Sequence, residues 1–263
     1  MTDRDVYFDD AAAYDMMMGR WSRSAGTVFL DWLALAKNAR WLDVGCGTGV
    51  FTQLVLDTAS PKAVSAVDPT PVQIDYARRQ AAGQRADFQV ADSQALPFPD
   101  NSFDVVVSAL VINFIPDRPK ALGEMRRVGR AGGTVAGYVW DFAGERSPGS
   151  ILRAGLRAIG IKLPGVPGST ETSLGGLQSL FEHAGLEQIA TKTIDVTSSF
   201  ASFDDLWGAL TPSFNPVTKT AAALPEADRA LLMDKVRAAV TTNPDGSVAY
   251  SATAYAIKAR IPA

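Results

Sequence analysis

The sequence predicts an α/β fold: a parallel sheet with helices on both faces. Three observations carry that expectation. Short β-type runs alternate with helical patterns through the first half of the chain, the rhythm of βαβ units. The run from Phe103 to Ala109 is continuous and rich in valine, as a strand covered on both faces requires. A glycine-rich turn follows the first β-type run, where a strand hands over to a helix.

Residues 25–36 hold Val28, Leu33 and Leu35 among other apolar residues and read as a helix. Residues 41–44 form a short buried strand, followed by the glycine turn and a helix to about residue 58. The second strand, 63–67, is bounded by Pro61 and Pro69. Pro71 suits the first turn of a helix reaching about residue 82, with Gly83 as its stop. Residues 87–91 and 103–109 are the third and fourth strands. A helix at 120–130 is closed by Gly132 and Gly133, and 134–140 is the fifth strand. Beyond it the rhythm breaks. Residues 141–168 hold several Gly and Pro around one helical piece at 151–159. A helix at 174–184 and a strand at 189–196 follow. Residues 203–240 carry two helical stretches split by Pro212 and Pro216. Asp245-Gly246 is a turn, and 248–258 alternates as a final strand.

The chain has 263 residues, of which 47% are hydrophobic, enough for a large core. Its net charge is -3, and no block of Lys and Arg stands out, so no nucleic-acid partner is expected. Cys46 is the one cysteine, so no internal disulfide can form. The first ten residues lack the apolar segment of a signal peptide. The longest apolar stretch, 103–115, contains Asp104 and is shorter than the ~20 residues of a membrane span. No membrane association and a cytoplasmic location are expected. His183 is the one histidine, which excludes a multi-histidine metal site, and no metal is expected.

The turn itself reads Leu42-Asp43-Val44-Gly45-Cys46-Gly47-Thr48-Gly49. Glycines there let the backbone turn sharply and approach a ligand, beside the free N–H groups of a helix start. The dinucleotide fingerprint G-x-G-x-x-G would put its third glycine at Val50. The spacing is instead G-x-G-x-G preceded by Asp43. It resembles motif I of the class I S-adenosylmethionine-dependent methyltransferases, in the small-molecule (ubiquinone/menaquinone-biosynthesis-like, type 11) branch. The resemblance is good over about residues 41–140 and rests on element order alone beyond them.

It implies a Rossmann-like sheet of seven strands, the last two antiparallel, with helical lid insertions. It also implies S-adenosylmethionine as cofactor and in-line methyl transfer to a small-molecule acceptor. A single domain over 1–263 follows: a cap at 1–23, a cofactor-binding core at 24–140, and lid or acceptor insertions at 141–170 and 200–243. Residues 1–23 are expected to be partly mobile without cofactor and to close over it when bound, excluding water.

In the glycine turn the resemblance assigns Asp43, Gly45, Cys46 and Gly47 to the cofactor. Asp68, beside Pro69, matches the acidic residue that accepts the ribose hydroxyls; a carboxylate suits a vicinal diol. Capping of the next helix is the alternative role. Asp92, between Ala91 and Ser93, matches the acceptor of the adenine amino group. The stretch Leu96-Pro97-Phe98-Pro99-Asp100-Asn101-Ser102-Phe103-Asp104 also fits the family, with Asp104 structural. Ser108 falls near the sulfonium, where close packing would equally call for a small residue. Tyr14 through Ser22 resembles a helix that closes over the cofactor. There Tyr14 and Arg20 would touch its methionine moiety, with Arg20 facing the carboxylate.

Strand four leads into Ser108-Ala109-Leu110-Val111-Ile112-Asn113-Phe114, without the D/N-P-P-aromatic motif of DNA amino-methyltransferases. Cys46 reads as a turn residue and His183 as a helix-end residue. No catalytic residue is identified; Tyr7, Tyr14 and Asp141 are the candidates for a base. Asn113, Phe203 and Trp207 are expected to face the acceptor. With Phe142, Leu163, Phe200, Leu206 and Phe214 they form an apolar set that fits an apolar or aromatic acceptor. Two other functions fit the chain: a cofactor-binding module without catalysis, and a nicotinamide-dependent reductase, which Val50 disfavours. The sequence names neither the acceptor atom nor an oligomeric state.

Overall fold

The computed structural model describes residues 11–35, 37–213 and 215–263, without the side chains of Ala11, Ala13, Tyr14 and Ala81. Eight strands form one sheet: β1 (Arg40–Val44), β2 (Ala63–Asp68), β3 (Asp87–Val90), β4 (Phe103–Ala109), β5 (Gly129–Trp140), β6 (Glu187–Phe200), β7 (Thr241–Thr242) and β8 (Val248–Arg260). The order is β3-β2-β1-β4-β5-β8-β6. The first five strands run parallel, and β8 lies antiparallel between β5 and β6. Seven strands therefore make the main path, as expected, with an antiparallel edge. The eighth, β7, is two residues that fold back on β8 through the turn at Asp245-Gly246.

Nine helices surround the sheet: α1 (Ala11–Leu33), α2 (Val50–Thr58), α3 (Pro71–Arg79), α4 (Arg118–Val128), α5 (Ser150–Ala158), α6 (Leu174–His183), α7 (Phe203–Leu210), α8 (Pro216–Ala222) and α9 (Glu226–Ala238), counted among the described residues. Strand periodicity sorts the core into two layers. Val105, Val107, Ala136, Tyr138 and Trp140 face a layer with Phe29 of α1 and Phe51 of α2. Val106, Val135 and Val139 face Leu122 and Met125 of α4 and Phe181 of α6.

Four boundaries differ from expectation, each for a physical reason. The first helix begins at Ala11, not near residue 25. Met17, Met18, Trp21, Ala25, Phe29 and Leu33 recur on one face and are all buried, so residues 11–23 are continuous with the helix. β5 begins at Gly129 rather than residue 134, because a bulge between the Phe103 and Val105 pairings absorbs Gly132 and Gly133. β6 runs on to Phe200, burying Ile194, Val196, Ser198 and Phe200 on alternate positions. The distal helical region forms three helices, not two. Asn215 and Thr218 form a capping box for α8, and Pro225 precedes α9.

Candidate active site

The C-terminal ends of β1, β2, β4 and β5 open into a cleft. A ligand site is expected at this edge of an open α/β sheet. β1 ends at Val44, and the chain turns across β2. The N–H groups of Gly45 and Cys46 both donate to the Val67 carbonyl, at 2.7 and 3.0 Å. Gly45 has φ +81° and packs so closely on Val111 that a Cβ would lie 2.5 Å from its Cγ1. Gly47 has φ +52°, and a Cβ there would meet only Gln73 Oε1, at 4.0 Å. Gly45 is thus required by packing, whereas Gly47 keeps open the space above the turn.

Asp68, at the end of β2, lines the cleft. Its Oδ2 accepts from Gly47 N at 3.0 Å, and its Oδ1 accepts from Thr70 N at 2.9 Å. One carboxylate therefore holds the glycine turn and the start of α3 together. Pro69, Ala91, Ser93 and Cys46 also line the cleft. The Cys46 thiol is buried and pushed upward by desolvation first, then by Asp43 and Asp68. It stays a thiol at neutral pH.

Four residues assigned to the cofactor from sequence sit elsewhere. Asp43 lies behind the turn, off the cleft wall, because α2 claims it: Thr52 Oγ1 donates to its Oδ2 at 2.6 Å. Its Oδ1 is buried without a hydrogen-bond partner among the described residues. Burial chiefly raises the Asp43 pKa to about 7, Asp68 adds to the rise, and the Thr52 hydrogen bond opposes it. Asp92 is exposed at the rim, where Gln94 donates to it from N (2.9 Å) and Nε2 (3.0 Å). Ser108 is fully buried under the β4 end, while Ala109 and Leu110 reach the wall. Arg20 turns to β6 instead. Its Nη1 donates to Ser199 O at 3.0 Å and its guanidinium covers the Phe200 ring at 4.7 Å. Tyr7 and the Tyr14 side chain lie outside the described residues.

Sequence reasoning missed several wall residues. Ser22 reaches the cleft from α1, and Gln73 reaches it from α3. Tyr138 of β5 forms part of the wall, with Phe29 at 4.6 Å and Phe51 at 6.0 Å between ring centroids. A tyrosine in an otherwise apolar central strand was the available signal, since its hydroxyl demands a polar neighbourhood.

A second cavity adjoins the cleft. Leu110 and Phe114 line both. Leu110 holds φ +64°, an uncommon conformation for leucine, with its N–H donating to Tyr138 O at 2.7 Å. The cavity wall combines Met17 and Met18 of α1, Trp140, Phe142, the start of α5, Val166, Asn215, Val217 and Thr218. None of Asn113, Phe203 and Trp207 belongs to it. Asn113 is buried beside it, with Nδ2 donating to Pro167 O at 3.4 Å. Phe203 and Trp207 stack on each other at 6.3 Å, and Arg237 covers Phe203 at 3.9 Å. They pack α7 to its neighbours. Phe214 lies outside the described residues.

Asp141 is tied up as well. Its carboxylate accepts from Gly144 N (2.7 Å), Arg146 Nε (2.7 Å) and Tyr255 OH (3.1 Å). It lines neither space, and His183, at the end of α6, lines neither. No helix among the described residues is long and apolar enough to cross a membrane.

Residues 42–137 match the family model of the methyltransferase domain. The malonyl-[acyl-carrier protein] O-methyltransferase of Serratia marcescens is 37% identical over 125 residues, 48% of this chain and 47% of that protein. The ubiquinone/menaquinone biosynthesis C-methyltransferase of Paracoccus denitrificans is 38% identical over 125 residues, 46% of this chain and 50% of that protein. The chain thus spans about half the length of these curated relatives. Among solved structures, a phosphoethanolamine N-methyltransferase of Haemonchus contortus, in complex with phosphomonomethylethanolamine and S-adenosylhomocysteine, superposes with a TM-score of 0.61. That match covers 99% of this chain and 59% of that one, at 16% identity, and speaks for the fold.

Proposed function

We propose, for a chain whose residues 42–137 match the methyltransferase domain family model, that it binds S-adenosylmethionine in the glycine-turn cleft and methylates a small molecule held in the adjoining cavity. The adjacency of the two spaces across Leu110 and Phe114 carries this reading. A transfer reaction needs donor and acceptor side by side with water excluded between them.

The cleft suits the cofactor. The open space above Gly47 leaves a cradle that a Cβ would enter. The Asp68 carboxylate lines the cleft, and a carboxylate is an acceptor suited to a vicinal diol. Asp92 could receive an amino group at the rim only by giving up the Gln94 amide, so its contribution is smaller than that of Asp68. When bound, the cofactor supplies a methyl carbon already activated by a sulfonium.

The residues of the chain then align and shield. The turn at Gly45–Gly47 fixes the donor end, and Leu110 and Phe114 set the boundary with the acceptor. Cys46 remains a neutral thiol, and Asp141 lines neither space, so neither is placed to act as a base. The insertions at 141–170 and 200–243 are read as the acceptor-binding parts of a single domain, with α1 closing the wall from the N-terminal side. Isothermal titration tests the reading: S-adenosylhomocysteine should bind, and NADH should not. NADH binding in preference would replace it with the reductase.

A further inference from the structure

Extending the cofactor reading above, on which it rests, we infer that Arg118 is a positioning residue for the transfer. Its guanidinium fixes the backbone on both sides of Phe114 and so sets the wall that the two spaces share. Leu110 and Phe114 line both spaces, and Val111 and Ile115 line the cleft. The Phe114 ring also meets Phe142 of the cavity wall, at 6.2 Å between centroids. Arg118 lines neither space, so whatever it does to a ligand passes through these neighbours.

The wall needs an outside support. Between β4 and α4 the chain makes a three-residue 3-10 helix, Ile112–Phe114. So short a turn satisfies little of its own backbone. Within it, Phe114 N donates to Val111 O at 2.8 Å and Ile115 N donates to Ile112 O at 3.3 Å. The carbonyls of Asn113 and Ile115 flank Phe114, and both residues are buried. Buried carbonyls require donors, and one group supplies both: Arg118 Nη1 donates to Asn113 O at 3.3 Å and to Ile115 O at 3.0 Å. The other end of the segment is tied by Leu110 N to Tyr138 O.

Arg118 is itself held from two sides. It opens α4 directly after the cap residue Asp117, whose Oδ1 accepts from Lys120 N at 3.0 Å. Its side chain is 16% exposed, with Nη2 3.6 Å from Glu171 Oε1. Gly168 passes so close, at φ +61°, that a Cβ there would run into the Asn113 carbonyl and lie 2.8 Å from Arg118 Nη1. Thr172 Oγ1 donates to Gly168 O at 2.8 Å and keeps that pass in place. Val166, two residues before Gly168, walls the second cavity. The guanidinium is thus wedged between the segment that bounds the cleft and the segment that bounds the cavity. A lysine would keep the charge but not the planar array of donors.

Isothermal titration of S-adenosylhomocysteine into wild type, Arg118→Lys and Arg118→Ala tests the assignment, each protein being held well below its melting temperature. Both variants should bind about tenfold more weakly, the worth of one hydrogen bond to a charged group. Millimolar guanidinium should restore affinity in Arg118→Ala, and sodium chloride at the same concentration should not. A merely structural role would lower the melting temperature and leave the affinity of the folded protein unchanged. The ¹H–¹³C resonance of the Ile115 δ1 methyl gives a reading that needs no variant: it should shift when S-adenosylhomocysteine binds wild type. In ligand-free Arg118→Lys it should already be displaced from its wild-type position. Wild-type affinity in both variants, a loss that guanidinium does not restore, or an Ile115 methyl unmoved by the bound ligand each overturns the inference. Failure of S-adenosylhomocysteine to bind wild type is a distinct result: it removes the cofactor reading and this role with it.

Discussion

In the cleft proposed for the donor, the glycine turn is shaped by backbone, whereas the cavity proposed for the acceptor is walled by side chains. In the cleft, glycines at +81° and +52° and the carboxylate of Asp68 come from β1, β2 and the turn between β1 and α2, all within residues 40–70. In the cavity, Met17, Trp140, Leu152 and Val217 converge from widely separated segments. A backbone device tolerates little change, because φ and close packing are set together. A side-chain cavity can be relined one residue at a time, which suits a part that must differ between acceptors. The two regions should therefore fail differently under substitution.

The largest expected effect lies in neither space. Phe203 is 4% exposed and packs under Arg237. Phe203→Ala should cost about 3–5 kcal/mol of stability and leave S-adenosylhomocysteine affinity in the surviving folded protein unchanged. Chemical denaturation and calorimetry read the two quantities. A loss of ligand affinity without a loss of stability would return Phe203 to the site.

Asp43 sharpens the donor side through pH. Its pKa rises from 3.8 to about 7 on folding, so the folded state holds a proton that the unfolded state has released. Its contribution to stability is greatest below about pH 4 and is lost as pH rises through about 7, at up to about 1.4 kcal/mol per pH unit. Asp43→Asn should remove that decline, so the stability of the variant relative to wild type should grow between pH 4 and 7. Parallel stability–pH curves for the two proteins would show that Asp43 is charged throughout.

Gly45→Ala should cost roughly 2–4 kcal/mol, from the left-handed conformation and the contact with Val111. It should weaken S-adenosylhomocysteine binding as well, which a thermal melt with and without ligand would reveal. A variant as stable as wild type would mean that Val111 yields freely. Asp68→Ala should lower cofactor affinity at least about tenfold, given roughly 1.5–3 kcal/mol for hydrogen bonds to a charged group. Asp92→Ala should be the mildest change, because Gln94 already occupies its carboxylate. A greater loss for Asp92→Ala than for Asp68→Ala would reverse their ranking.

The same contrast explains what the sequence reveals. The sheet and the glycine turn were legible because each requirement leaves a local mark: a glycine where φ is positive, an aspartate where a strand ends, a valine run where both faces are covered. Asp43 was misplaced because its spacing in the motif does not tell which face of β1 it takes, and Thr52 decides that from α2. Arg20 was misplaced for a similar reason: α1 begins at Ala11, and its extent fixes which residues face β6. The second cavity left no local mark. Phe203 and Trp207 looked suitable by composition, yet their stacking serves α7, and the wall fell to Met17, Met18 and Trp140 through tertiary packing.

The claim that the donor and acceptor spaces are distinct neighbours is tested most directly by titrating S-adenosylhomocysteine into wild type, Asp68→Ala and Trp140→Phe under identical conditions. The account predicts binding to wild type, at least about tenfold weaker binding to Asp68→Ala, and wild-type affinity in Trp140→Phe. No binding to wild type, or an equal loss in the two variants, would contradict it.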